Sequence, residues 1–474
     1  MKPKIFVFLV VGLGIIFTGC SAALQFTEKS ANADLSQLTV NNGVLTPIFA
    51  AATTYYTVHV PNEVTSITVA GNKADGNASV PDSVTLSNLV VGTPQTARIT
   101  VTAENGASKT YTVEVVRDFD LVTEVNIRRR EILTYISNLS SGSLAGTISG
   151  QNAYHGTEIL GGYKSMVEEL HTQTGKWVGI LGVDYEFAKN FTPEELSLTN
   201  KVLIDYARVG GLITITFTPQ NPWVNDESDL AADPGTWDGP AGTQNQDGIA
   251  QVTSLNDLID PTKPVNVAWM RKLDRVAAAL QELRDKGVIV LFRPMQEMNG
   301  NWFWWGMSSH PTDPEPYVNV YRHMHDYFSN TKKLNNLIWL YSPNASFGEN
   351  NSSTWNRTVD WAYPGDSYVD IIAGTNYDDK MIIGDYPTYI SMNKPLGIAE
   401  YGPTIGGPAA ANGTWDTSQI IATINQDYPR IAFWVSWHSY PQQHWSLISN
   451  RNFNILLNDP SVINRDNFTW SWLP

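Results

Sequence analysis

The stretch Leu291-Phe-Arg-Pro-Met-Gln-Glu-Met-Asn-Gly-Asn-Trp-Phe-Trp-Trp-Gly306 runs an apolar strand into a carboxylate and a bank of aromatics. The strand, Val288 to Phe292, delivers Glu297 just past its end. Asn299, the flexible positions Gly300 and Gly306, and four aromatics from Trp302 to Trp305 follow. A carboxyl set among indoles loses hydration, which raises its pKa, and exposed ring faces offer a surface for stacking sugar rings. A second carboxylate, Glu400, ends another apolar strand, Pro395-Leu-Gly-Ile-Ala-Glu-Tyr-Gly402. Two carboxylates at strand ends are the minimum equipment for hydrolysing a glycosidic bond.

Outward from these motifs, strands and helices alternate. Strands are expected at Trp177–Gly182, Leu212–Phe217, Leu337–Leu340, Asp370–Gly374, Leu396–Ala399 and Ile431–Val435, with an early one near Gly146–Ile148. Helices are expected at Glu194–Arg208 and Val267–Lys286, the latter stopped by Gly287 and preceded by a polar loop over 220–264. Eight strand–helix units over residues 119–474 fit a (β/α)8 TIM barrel. In that barrel Glu297 closes strand four and Glu400 strand seven, so both reach one cleft at the C-terminal rim.

Residues 34–118 read differently. Arg98–Ala103 and Lys109–Val115 alternate with period two about Glu104-Asn-Gly106, a hairpin signal, and Tyr55–Val60 and Ser66–Val69 add strands. The segment is an all-β sandwich without an evident aromatic patch, and is read as a spacer. Ahead of it, residues 21–33 read as a tether. Residues 1–20 combine Lys2 and Lys4, an apolar run from Ile5 to Phe17, and Thr18-Gly19-Cys20. That run is too short to span a bilayer and has the form of an export signal.

The chain's single cysteine excludes an intramolecular disulfide, so stability rests on the core. Net charge is −15, and −17 once Lys2 and Lys4 leave with the leader. Such a surface repels nucleic acid and anionic glycans. Sixteen Trp and 20 Tyr against 16% charged residues favour a neutral, hydroxyl-rich ligand.

The residues now support a family resemblance. Arg-Pro-x-x-Glu-Met-Asn-Gly-x-Trp-Phe-Trp-Trp-Gly at 293–306 resembles the acid/base motif of glycoside hydrolase family 26, best known for endo-β-1,4-mannanases, and Gly397–Gly402 resembles its nucleophile strand. The resemblance implies Glu297 as acid/base, Glu400 as nucleophile, Tyr377 as the nucleophile's holder, and Trp437 and Trp302 as sugar-facing aromatics. Arg293, Gln296, Asn299 and His438 complete the expected substrate-binding set. The sandwich resembles cadherin-like repeats of bacterial surface proteins, and the leader resembles a lipoprotein signal in which Cys20 is lipidated. The implied protein is an exported, membrane-anchored monomer at the bacterial surface or in the periplasm. It acts on β-mannan or a related plant polysaccharide through a covalent intermediate, without metal or cofactor.

Two departures bear on the substrate. Gln296 stands where the family usually has His, and the third strand ends Phe217-Thr218 where Trp-His is common. They leave open the same mechanism on β-1,3/1,4-glucan or xylan. A silent glycan-binding lipoprotein is a further alternative, disfavoured by both glutamates being present. His323 and His325 sit two apart on a helix and point apart, so they are not expected to share a metal. Ser149-Gly150-Gln151 lacks phosphate-loop spacing, and no Gly-x-Ser-x-Gly elbow occurs.

Overall fold

The computed structural model describes residues 28–118, 121–155, 159–186, 190–224, 249–345, 357–440 and 442–473. The leader with Cys20, tether residues 21–27 and the middle of the 220–264 loop lie outside the described residues. The chain forms two compact units that meet in sequence at Arg117 and Asp118.

The first unit has strands β1 (Leu35–Val40), β2 (Leu45–Thr46), β3 (Tyr55–Val60), β4 (Ser66–Lys73), β5 (Val84–Ser87), β6 (Gln95–Thr102) and β7 (Ser108–Arg117). They form sheets in the orders β1-β4-β5 and β2-β3-β7-β6. All pairs are antiparallel except β3 with β7. Period-two alternation puts Tyr56, Val58, Val60, Ile99, Val101, Val113 and Val115 in one core. The β6–β7 hairpin turns at Gly106, whose φ of 93° suits glycine. Tyr55 is exposed and donates to Glu114 at 2.9 Å.

The second unit is a closed parallel barrel. Its strands are β8 (Thr147–Ile148), β9 (Gly150–His155), β10 (Ile180–Tyr185), β11 (Leu212–Phe217), β12 (Val290–Pro294), β13 (Leu337–Tyr341), β14 (Ile371–Tyr377), β15 (Leu396–Gly402), β16 (Ile431–Ser436) and β17 (Val462–Ile463). Strands β9 to β16 follow one another in hydrogen-bonded order, and pairing of β15 with β16 closes the ring. The short β8 and β17 pair beside β16. Eight barrel strands with helices between them make this a TIM-type (β/α)8 fold, as the alternation predicts.

Both faces of each barrel strand are buried. Leu181, Val183, Tyr185, Ile213, Ile215 and Phe217 pack outward with the helices. Ile180, Leu212, Leu291, Ile338 and Ile371 share a second core with Val125, Ile132 and Ile136 of the helix Leu121–Ser141. That second core lies at the strand starts. Toward the strand ends the buried residues turn polar: Asp184, Thr216, Arg293, Thr375 and Glu400. The barrel is thus packed with hydrocarbon below and hydrogen-bonding groups at the rim where ligands bind.

Several boundaries shift for local reasons. β12 starts at Val290 rather than Val288, because the Val288 amide bonds Leu283 O as the preceding helix ends. That helix runs Pro264–Asp285, starting earlier than Val267, with proline in its first turn. The helix Pro193–Arg208 begins with a capping box between Thr192 and Glu195. The strand expected from Trp177 begins at Ile180.

Candidate active site

Glu297 stands three residues beyond β12 on unusual backbone. Met295 and Glu297 have φ of 47° and 56°, left-handed values that cost roughly 1–2 kcal/mol each for a residue with a Cβ. Bonds to both neighbouring strands hold them there. Met295 N donates to Phe217 O at 2.9 Å, and Glu297 N to Ser342 O at 2.7 Å. Stored strain of this kind concentrates at functional sites.

The carboxyl of Glu297 is almost wholly buried. Trp302 Nε1 donates to its Oε2 at 2.7 Å and Asn344 Nδ2 to its Oε1 at 3.3 Å. Burial raises its pKa to about 7, the Glu400 charge adds to the rise, and Arg293, Trp302 and Thr375 oppose it. Gly300 makes room for the indole: a methyl there would lie 2.4 Å from the Trp302 ring. Asn299 is buried and works as a clamp. Its Oδ1 accepts from Asn344 N at 2.8 Å, and its Nδ2 donates to Asn344 O and Arg357 O, each at 3.0 Å.

Glu400 has the opposite surroundings. Arg293 donates to its Oε2 at 2.6 Å and Tyr377 to its Oε1 at 2.6 Å, which hold it as an oriented anion. Arg293 is fully buried and also reaches Ser342 (2.7 Å), Thr216 (3.2 Å) and Thr375 (2.6 Å). Its donors therefore reach β11, β14, β15 and the residue that follows β13. Tyr377 lies against Gly402, where a methyl would come within 2.8 Å of its ring, and against Trp445, with ring centroids 5.4 Å apart.

The end of β16 is stapled to β9. Gln151 Nε2 donates to Trp437 O at 2.9 Å, and Asn152 Oδ1 lies 2.9 Å from His438 Nδ1. Trp437 N donates to Tyr401 O at 2.9 Å, so the Trp437–His438 pair sits beside the Glu400 strand. Gln296 Nε2 lies 3.1 Å from Thr218 Oγ1. Thr218 in turn lies 2.7 Å from Asp184 Oδ2.

The structure corrects the expected four-ring stacking surface. Phe303, Trp304 and Trp305 are buried, and only Trp302 is partly exposed. Trp304 Nε1 donates to Pro219 O and Trp305 Nε1 to Gln296 O, each at 2.8 Å, while Phe303 stacks on Trp305 at 4.4 Å. These rings satisfy their indole donors internally and brace the Glu297 loop. His323 and His325 pack on Tyr327 and Trp339, and among the described residues no acid–His–Cys cluster has metal-binding geometry. Sequence reasoning missed Asp184, Asn344, Trp445 and Gln151. Only Gln151 lay in a segment already singled out, and there the phosphate-loop question hid its strand-stapling role.

An eight-stranded parallel barrel with one restrained carboxylate and one high-pKa carboxyl at its rim defines a glycoside hydrolase. The chain belongs to glycosyl hydrolase family 26, whose model matches residues 124–467, and residues 35–118 match the cadherin-like beta sandwich domain. It is 32% identical over 349 residues to the mannan endo-1,4-beta-mannosidase A and B of Caldalkalibacillus mannanilyticus, a match covering 72% of this chain and 61% of that protein. It is also 32% identical over 324 residues to the mannan endo-1,4-beta-mannosidase of Bacillus subtilis strain 168, covering 65% of this chain and 79% of the relative. The chain thus spans about three fifths of the first relative and four fifths of the second. Among solved structures, the Bacillus subtilis mannanase matches with a TM-score of 0.59 and 25% identity, over 72% of this chain and 94% of that one.

Proposed function

We propose that this protein is a retaining endo-acting glycoside hydrolase that cleaves β-1,4-mannosidic bonds in mannan, glucomannan or galactomannan. The observation that carries the reading is the contrast between the two carboxyls. Glu400 is bound by Arg293 and Tyr377, while Glu297 is pushed up to about 7. A carboxylate restrained by an arginine thus stands with a carboxyl that holds its proton up to about pH 7, the division of labour that glycoside cleavage needs. The sugar is taken from the relatives, which are mannan endo-1,4-beta-mannosidases.

In the first step a Glu400 oxygen bonds to the anomeric carbon. The glycosidic C–O bond breaks, and Glu297 gives its proton to the departing oxygen. Trp302 and Asn344 then stabilise the carboxylate left on Glu297. In the second step water attacks the anomeric carbon, Glu297 takes the water's proton, and the ester to Glu400 breaks. Two inversions give net retention.

Reducing-sugar release across mannan, glucomannan, galactomannan, β-1,3/1,4-glucan and xylan tests the substrate, and proton NMR of the first-formed anomer tests the stereochemistry. Fastest cleavage of a mannan with β product first supports the reading. Preference for glucan or xylan, or an α product first, overturns it.

We also propose that Cys20 is lipidated after export, with the sandwich as a spacer at the membrane surface. The support is the leader's residue pattern alone, and more than one acyl chain is needed for stable retention. Cys20→Ala is expected to release the enzyme or block maturation. A wild-type mature protein that is soluble and starts elsewhere refutes the anchor.

A further inference from the structure

Asp184, on β10, is completely buried inside the barrel. Its carboxyl makes one hydrogen bond among the described residues, Oδ2 with Thr218 Oγ1 at 2.7 Å, and Oδ1 has no partner there. The nearby guanidinium, Arg293, is engaged with Glu400, and the neighbouring Glu186 is bound by Lys272 and Arg275. A carboxyl buried with one partner is expensive, and such groups gather where function requires them. Burial holds its pKa well above the usual carboxylate range.

Thr218 hands the link onward. Its Oγ1 lies 3.1 Å from Gln296 Nε2 and 3.5 Å from Gln296 Oε1. A hydroxyl has one hydrogen, so what Thr218 gives to or takes from Asp184 restricts what it can exchange with the amide. Gln296 and Thr218 also stand at the two places where the family resemblance usually has His, and here they touch. Neither contact can be read from the sequence, because the three residues lie on three successive barrel strands or their ends.

We propose that Asp184 is a positioning residue which, acting through Thr218, sets how the Gln296 amide is presented to a substrate hydroxyl. The proposal rests on the glycosidase reading above and deepens it by naming a specificity element beside Glu297. The amide does not enter bond breaking. It holds one sugar hydroxyl equally in the ground state and the transition state, so its misorientation raises KM and leaves kcat nearly unchanged.

The test compares the full-length enzyme with Thr218→Val, Thr218→Ser, Asp184→Ala and Asp184→Ser, the last as the polar alternative should Asp184→Ala not fold. Two readouts are taken, steady-state kinetics on the best polymer and the side-chain amide resonances of Gln296 in glutamine-labelled protein without substrate. Gln296→Glu assigns those resonances. Thr218→Val and the Asp184 variants are expected to raise KM about three- to tenfold, the worth of one hydrogen bond, and to move the Gln296 resonances alike. Thr218→Ser should restore both. Combining Thr218→Val with an Asp184 variant should add nothing further, because the link is already cut. An unmoved Gln296 resonance in the Asp184 variants, additive KM effects, or a fall in kcat at constant KM overturns the proposal. If the wild type cleaves no polymer, the glycosidase reading fails by itself, and the resonances still decide whether Asp184 orients the amide.

Discussion

Trp302 donates its indole hydrogen to Oε2 of Glu297 at 2.7 Å, across a turn whose backbone Glu297 itself makes left-handed. The same indole is the partly exposed member of its aromatic run. One side chain is therefore both partly exposed and a donor to the Glu297 carboxyl. Trp302→Phe keeps an aromatic ring but removes the indole N–H, so the carboxylate form of Glu297 loses a donor that lowers its pKa, and that pKa should rise. A pH–rate profile whose alkaline limb moves upward in Trp302→Phe checks this, and an unmoved limb contradicts it.

Removal of either carboxyl should reduce turnover by about 10²–10⁴ while leaving the fold intact. Azide should rescue Glu400→Ala as an α-glycosyl azide and Glu297→Ala as a β one. Product anomers by NMR, with circular dichroism as the folding control, make the check. Near-normal activity in either variant removes that residue from the mechanism.

The pH dependence has a definite sign. In the proposed mechanism Glu297 carries a proton into the first step, and its pKa of about 7 places the expected loss of kcat/KM on the alkaline side, above about pH 7. The Glu400 charge contributes to that raised value, so Glu400→Gln should lower the Glu297 pKa. A carbon-13 titration of the glutamate carboxyls in both proteins measures the shift. An upward movement would contradict the coupling.

Tyr377→Phe deletes one of the two side-chain donors to Glu400 among the described residues. A hydrogen bond to a charged group is worth about 1.5–3 kcal/mol, so kcat/KM should fall between about tenfold and a hundredfold. Thermal melting should change little, since the ring keeps its contact with Trp445. Wild-type kinetics in this variant would show that Arg293 alone suffices.

Just past the end of β10, Glu186 accepts from Lys272 at 2.8 Å, and Lys272 also donates to Asn190 at 2.6 Å, with both members of the ion pair buried. Lys272→Met leaves part of a buried charge uncompensated and should cost about 3 kcal/mol. The urea midpoint, compared with exposed Lys201→Met as control, reports it.

His310 gives a separate pH signature. Its ring is buried against Trp361 and Tyr317, neither nitrogen has a partner among the described residues, and burial lowers its pKa from 6.5 to about 4. Between those values the unfolded chain binds the extra proton, so stability is lost as pH falls from 6.5 toward 4. His310→Phe should flatten that part of the stability curve. An unchanged slope between pH 6.5 and 4 in urea titrations would place the acid sensitivity elsewhere.

Much of this was legible in the chain itself. Runs such as Leu212–Phe217, rich in β-branched and apolar residues and bounded by glycine and polar turns, declare strands without reference to anything distant. The period-two pattern about Asn105 and Gly106 declares a hairpin for the same reason. Glu297 and Glu400 stood out because each follows an apolar run that offers a carboxylate no local partner.

What the chain could not declare is which polar residues meet inside the closed ring. Parallel strands buried on both faces lose the alternation that marks inside from outside, so Asp184 reads as one polar residue in an apolar run. Trp302 and Trp304 likewise look alike in sequence, and only the packing under Pro219 makes the second an internal brace. Local periodicity determined the elements, the hairpin and the two carboxylates. Barrel closure decided that Arg293 holds Glu400, that Asn299 clamps Asn344, and that Gln296 reaches Asp184 through Thr218, because hydrogen bonds between strands depend on register and shear.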